Sequence, residues 1–146
     1  MRVWERFEVI RTCVNRCHAG KAATGFYYAA CLREFPVKEK TYRLSDIKEC
    51  NEDLEPTYLI RIYSEFEFTL RDFWKRGLGK RTQPMAEVLM NRIASHQHMR
   101  TDILGNAHAV RNFRNSLVHG GFASPVTIDE AKKYLCQFLN DLPRQW

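Results

Sequence analysis

The segment Val110-Arg111-Asn112-Phe113-Arg114-Asn115-Ser116-Leu117-Val118-His119-Gly120 places two arginines, two asparagines and a histidine at the end of an otherwise core-forming helical pattern. Cleavage of an RNA phosphodiester without a metal needs two things: a group that titrates near neutrality, to move protons between the 2′-hydroxyl and the leaving oxygen, and a permanent cation beside the crowded phosphorane. Histidine supplies the first and arginine the second. Helical geometry constrains the pair, because five residues at about 100° each set Arg114 and His119 roughly 140° apart around the axis. Asn115 lies one turn beneath His119. One helix therefore presents the two groups poorly; a break at Gly120 that turns His119 back, or a two-fold pairing of chains, would bring them together. In this scheme Asn115 orients His119 or binds phosphate, and Arg111, one turn before, extends the anion site. The competing account of the same residues is structural: Arg114 pairs with a carboxylate, Asn115 and Ser116 solvate a helix end, and His119 is a C-terminal cap.

The same segment resembles the HEPN superfamily, whose RNA-cleaving members carry an Arg, usually followed by a polar residue, and a His after four to six intervening residues. Arg114, Asn115 and His119 fit with four between. The spacing alone does not select them, since Arg11 with His18 and Arg92 with His98 also satisfy it in a chain holding five histidines. Context does: only this match lies in a penultimate helix after a long helix bearing Phe66-Glu67. The resemblance spans about residues 58 to 142. It implies an all-α, HEPN-like domain over residues 1–146, with 1–56 forming N-terminal helices and 57–142 the core bundle. The implied activity is metal-independent endoribonuclease action at a homodimer cleft, with 2′-hydroxyl attack leaving a 2′,3′-cyclic phosphate. Small stand-alone members resemble toxins or phage-defence effectors, which implies an antitoxin or sensor partner. Toxins silenced by nucleotidyl transfer to a Tyr two residues past the His have their counterpart position occupied here by Gly121. Glu67 matches an acidic position that, in family members, can hold the active Arg or His; as a bare residue it reads equally as a solvated or ion-paired helix position. Some superfamily members are non-catalytic, so a nucleotide-, RNA- or protein-binding module is the alternative function, and a purely structural dimerisation domain is a third.

Other clusters carry weaker chemistry. Arg71, Lys75, Arg76, Lys80 and Arg81 form a basic run interleaved with Phe73 and Trp74, which would track RNA backbone or simply solvate a helix end; the aromatics fall on the core stripe. Cys13, Cys17 and His18 share a helix face, yet no second ligand pair follows, so the cysteines read as small core residues. His96, His98 and His108 read as surface or helix-end residues. No phosphate-cradling Gly-rich loop and no Ser nucleophile elbow occurs, and the chemistry calls for no metal or cofactor.

The elements that must position these groups read as helices throughout. With 146 residues and 45% hydrophobic content the chain suits one globular domain. A formal charge of +6 tolerates a polyanionic partner without requiring one. Five cysteines at irregular spacing fit a reducing compartment, and with the early charges Arg2, Glu5, Arg6, Glu8 and Arg11 they predict a cytoplasmic protein without a secretory signal. The longest uncharged apolar run, Ala22 to Leu32, is far short of the roughly 20 residues that span a bilayer. Apolar residues recur at helical rather than alternating spacing. The pattern predicts helices over about 3–17, closed by His18-Ala19-Gly20, and over about 21–35, buried through Phe26, Tyr27, Ala30, Cys31 and Phe35 and stopped by Pro36. A short helix from a Ser45 cap to Pro56 precedes the strongest one, striped by Leu59, Ile62, Tyr63, Phe66, Leu70 and Phe73 and ended by Gly77-Leu78-Gly79. Pro84 in a first turn starts a helix with Met85, Leu89 and Ile93 inward. Thr101 caps the motif helix, with Ile103, Ala107, Val110 and Leu117 inward. Thr127-Ile128-Asp129-Glu130 forms a capping box for the last helix. The expected architecture is an antiparallel bundle of five to six helices.

Overall fold

A computed structural model describes residues 3–34 and 44–146. The described residues form an all-helical bundle: α1 (Val3–Glu34), α2 (Leu44–Asp72), a π-helical turn (Phe73–Gly77), α3 (Ala86–His96), α4 (Thr101–His119) and α5 (Ile128–Asn140). Among them there is no β-strand, and no helix is long and apolar enough to cross a membrane.

Two predicted breaks are absent. The expected helices over 3–17 and 21–35 are one helix, because Gly20 does not cap a C-terminus but lets α1 approach α2: a β-carbon there would lie 3.3 Å from Leu54 Cδ1. The predicted helices on either side of Pro56 are likewise one, and Ser45 lies within it rather than before it. Proline removes one backbone donor, which ends an isolated helix. In α2, packing against α1 on both sides of Pro56 outweighs that loss. Arg6 meets Glu65 at 3.0 Å, Lys21 meets Glu55 at 2.6 Å and Thr24 meets Asn51 at 2.6 Å, so positions rise along α1 as they fall along α2 and the pair is antiparallel. Phe26, expected to be buried, is 79% exposed. The expected burial of Tyr27, Ala30, Cys31 and Phe35, and the stop at Pro36, fall outside the residues whose placement is described.

The core is one contiguous cluster drawn from every helix. The predicted α2 stripe is buried in full, from Leu59 to Phe73, and meets Ile10 and Val14 of α1, Leu89 and Ile93 of α3, Ala107 and Val110 of α4, and Ile128, Ala131, Leu135 and Phe138 of α5. Phe66 stands edge-on to Phe138 with ring centroids 5.3 Å apart. Helix starts differ from expectation by one or two residues. Met85, expected inward, is exposed at the N-cap position of α3, so Pro84 lies before the helix and not in its first turn, and Arg100 rather than Thr101 holds the N-cap position of α4. At α5 the capping box is complete: Thr127 Oγ1 accepts from the Glu130 N–H, and the Glu130 carboxylate accepts from the Thr127 N–H at 2.9 Å.

Candidate nucleic-acid site at the end of α4

The last two turns of α4 carry the motif, and Gly120 ends the helix with φ 73° and ψ 172°, a backbone region open essentially to glycine alone. Beyond it the chain folds over an open groove of about 490 Å³ walled by Asn112, Asn115, Ser116 and His119, with Phe122 and Ser124 opposite. Asn112, Asn115, Ser116 and His119 share one helical face. Arg114 lies off that face, as the 140° separation requires, and is not part of the groove wall.

Arg114 packs instead toward α2, its guanidinium carbon 5.6 Å from the Tyr63 ring centroid, a cation over an aromatic face. Its Nη1 donates to Asn115 Oδ1 at 3.0 Å, while its Nε is buried with no hydrogen-bond partner. Among the described residues no carboxylate pairs with it. The expected structural pairing of Arg114 with an acidic residue is therefore absent, and a half-buried cation keeps unfilled donors beside the groove. Asn115 connects the two: its carbonyl accepts from Arg114, and the residue lines the cavity that His119 shares. The same arrangement recurs one turn earlier, where Arg111 Nη1 donates to Asn112 Oδ1 at 3.0 Å. Both asparagines thus commit their carbonyls to arginines and both line the groove.

The other two predicted site residues are engaged elsewhere. Arg111 is neutralised by Glu87 of α3, Nη2 to Oε2 2.7 Å, so it braces α3 against α4 rather than offering a free cation. Glu67 holds neither Arg114 nor His119; its Oε1 accepts from both Nε and Nη2 of Arg71, at 3.0 and 2.6 Å, the i,i+4 partner on its own helix. His119 is exposed at the helix end.

Sequence reasoning missed Tyr63. It was placed on the core stripe, where it is 1% exposed, but its ring also supports Arg114. The available signal was a phenol within an otherwise hydrocarbon stripe, since a buried tyrosine usually serves a polar neighbour. Burial above all, with the negative charge of Glu67 adding to it, pushes the Tyr63 phenol up to about 12 despite the opposing positive charges of Arg111, Arg114 and Arg71. His108, expected at the surface or a helix end, is only partly exposed. It sits half-buried in mid-α4 with Nε2 2.8 Å from Asn91 Oδ1, and burial followed by the charge of Arg111 lowers its proton affinity. Cys17 is fully buried, as the core reading expects, and burial raises its thiol; His18 faces Asp129 at 3.2 Å. Among the described residues no three His, Cys, Asp or Glu side chains are grouped to hold a metal ion.

Compared with known protein families, curated proteins and solved structures, the chain finds no match.

Proposed function

We propose that this chain is a HEPN-type, metal-independent endoribonuclease that works as a homodimer, in the role of a toxin or defence effector restrained by an antitoxin or sensor protein. The observation that carries the reading is Arg114: a half-buried cation with no carboxylate partner among the described residues and an unfilled Nε, tied through Asn115 to the groove that holds His119. A permanent charge kept unpaired beside an open cavity suits an anionic ligand better than a structural role.

In the proposed reaction neutral His119 takes the 2′-hydroxyl proton as O2′ bonds to phosphorus, and Arg114 balances the charge of the phosphorane. The bond from phosphorus to O5′ breaks, O5′ takes a proton from the protonated His119 of a second copy, and the products are a 2′,3′-cyclic phosphate and a 5′-hydroxyl. A second copy also answers the geometry, because within one chain Arg114 and His119 project from different faces of α4. Phe122, fully exposed on the groove rim, and the exposed Val118 supply an apolar edge on which that copy can dock.

The test is incubation of labelled transfer, ribosomal and single-stranded RNA with the protein in EDTA, beside Arg114→Ala and His119→Ala, with the product ends mapped. The parent is expected to leave cyclic-phosphate ends, and each variant to lose at least about 100-fold in rate. Equal background cleavage in all three overturns the enzyme. The second reading, a non-catalytic binding module, draws on the position of Arg114 outside the groove wall. It predicts salt-sensitive RNA binding that survives His119→Ala, with no cleavage by the parent.

A further inference from the structure

On the α2 face that carries Tyr63, residues at i+4 spacing rise out of the core: Tyr63 is buried, Glu67 and Arg71 are half-buried, and Lys75 is exposed. Over these twelve residues the row runs about 18 Å. At its outer end the helix gives way to the π-helical turn, a local widening frequent at functional sites. The loop that follows is pinned back at three points, two on this turn and one on the end of α2: the Lys80 N–H donates to Trp74 O at 3.0 Å, Trp74 Nε1 donates to Thr82 O at 3.0 Å, and Arg71 Nη1 donates to Pro84 O at 3.2 Å. The result is a second concavity, of about 530 Å³, walled by Arg71, Trp74, Lys75, Lys80, Arg81 and Thr82.

Its charge is unbalanced. Arg71 is neutralised by Glu67, and nearby Asp72 is taken by Arg76 at 2.9 Å and by Trp146 Nε1 at 2.8 Å. Lys75, Lys80 and Arg81 have no ion pair among the described residues. Three uncompensated cations thus gather in one pocket of a chain whose formal charge is +6. Trp74 is only 7% exposed and its indole N–H is spent on Thr82, so the pocket offers charge and no open ring for a base to stack on.

We infer that this pocket is a second anion site that grips the phosphodiester backbone of single-stranded RNA, without reading its bases, and leads the strand along the α2 face toward Arg114. The polymer's identity rests on the proposed nuclease reading; the site itself rests on the three unpaired cations and the pinned loop. Point charges on concave walls suit a flexible chain of phosphates, whose binding is driven by release of counterions.

The test uses the full chain carrying His119→Ala, so that RNA stays intact, and fluorescence anisotropy with uridine-rich and adenine-rich oligoribonucleotides across a salt series. Adding Lys75→Ala, Lys80→Ala and Arg81→Ala is expected to flatten the slope of log affinity against log salt by about 2 and to weaken binding at least about tenfold at moderate salt, equally for both sequences. Lys132→Ala, Lys133→Ala and Arg144→Ala remove the same charge elsewhere and are expected to leave the slope unchanged. An unchanged slope in the pocket variant, equal losses in the two triple variants, or binding to phosphatidylserine vesicles in place of RNA each overturns the site. Thermal melts of both triples check that they are folded. Cleavage by the parent with an unchanged slope in the pocket variant sinks the pocket and spares the nuclease. Salt-sensitive binding lost in that variant, with no cleavage by the parent, does the reverse.

Discussion

Tyr63 and Arg114 divide one aromatic residue between two uses. The ring face supports the guanidinium, whereas the hydroxyl finds only Met90 Sδ, at 3.9 Å, among the described residues. A thioether is a weak acceptor, so Tyr63→Phe is expected to change stability by less than about 1 kcal/mol and to keep RNA cleavage. Tyr63→Leu removes the ring, forfeits about 0.5–2 kcal/mol of cation–π attraction, and is expected to lower the cleavage rate while Tyr63→Phe does not. Calorimetry beside the cleavage assay separates the two. The phenol also carries a pH signature: its proton affinity is raised from 10.0 to about 12 in the folded chain. The neutral form is the one the fold accommodates, so this contribution to stability is complete below pH 10.0 and lost as pH climbs toward about 12. Tyr63→Phe is expected to lack that part of the alkaline loss.

At the scale of the element, the start of α5 is held from two sides. Its own capping box closes one turn, and Glu55 of α2 reaches across to accept the Ile128 N–H at 2.9 Å while gripping Lys21 of α1 at 2.6 Å. One carboxylate thereby fixes three helices and fills an otherwise orphaned helix donor. The hydrogen bond from Lys21, supported by that from Ile128 and opposed by partial burial, holds Glu55 below its ordinary range. The sign follows: the stabilisation is present above the unfolded carboxylate's value and disappears as pH falls through the lower folded one. Glu55→Gln is expected to destabilise the chain by about 1 kcal/mol near neutrality, a figure discounted for partial solvent exposure. Melts of parent and variant should converge in acid, and a difference independent of pH would show that the charge does not matter. The same element scale explains how the candidate site is shaped. Gly120 ends α4 in a glycine-only conformation and turns the chain across the groove, so the wall opposite His119 exists because the helix stops there.

Across the whole molecule, Tyr63, which supports Arg114, and Arg71, which walls the basic pocket at the end of α2, belong to the same helix face. The proposed reaction further requires two copies, since Arg114 and His119 project from different faces of α4. Mixing Arg114→Ala with His119→Ala protein tests this directly. A mixed dimer keeps one intact arginine and one intact histidine in the shared cleft, so that single histidine must both take the 2′-hydroxyl proton and return it to O5′, and a recovery well below the parent's rate is expected on mixing two inactive proteins. Sedimentation should show a dimer that Phe122→Asp disperses. No recovery, together with a monomeric parent, would remove the composite site.

Features that depend on neighbours a few residues away were legible in the order of the amino acids alone. Helical periodicity marked the class and the α2 stripe from Leu59 to Phe73; the Gly120 stop and the Thr127–Glu130 box were legible because capping is settled within one turn. The motif's angular separation was legible for the same reason, being a property of a single helix. Tertiary structure decided the rest. Gly20 and Pro56 read as breaks because local propensity is all a sequence displays, whereas packing along the whole length of α1 and α2 carries both helices through them. Which acid meets which base was equally invisible: Glu67 went to Arg71 and Glu87 to Arg111, and no carboxylate among the described residues went to Arg114. Those outcomes depend on which distant helix faces are pressed together, a choice made by burial of the shared core and not by any residue's immediate neighbours.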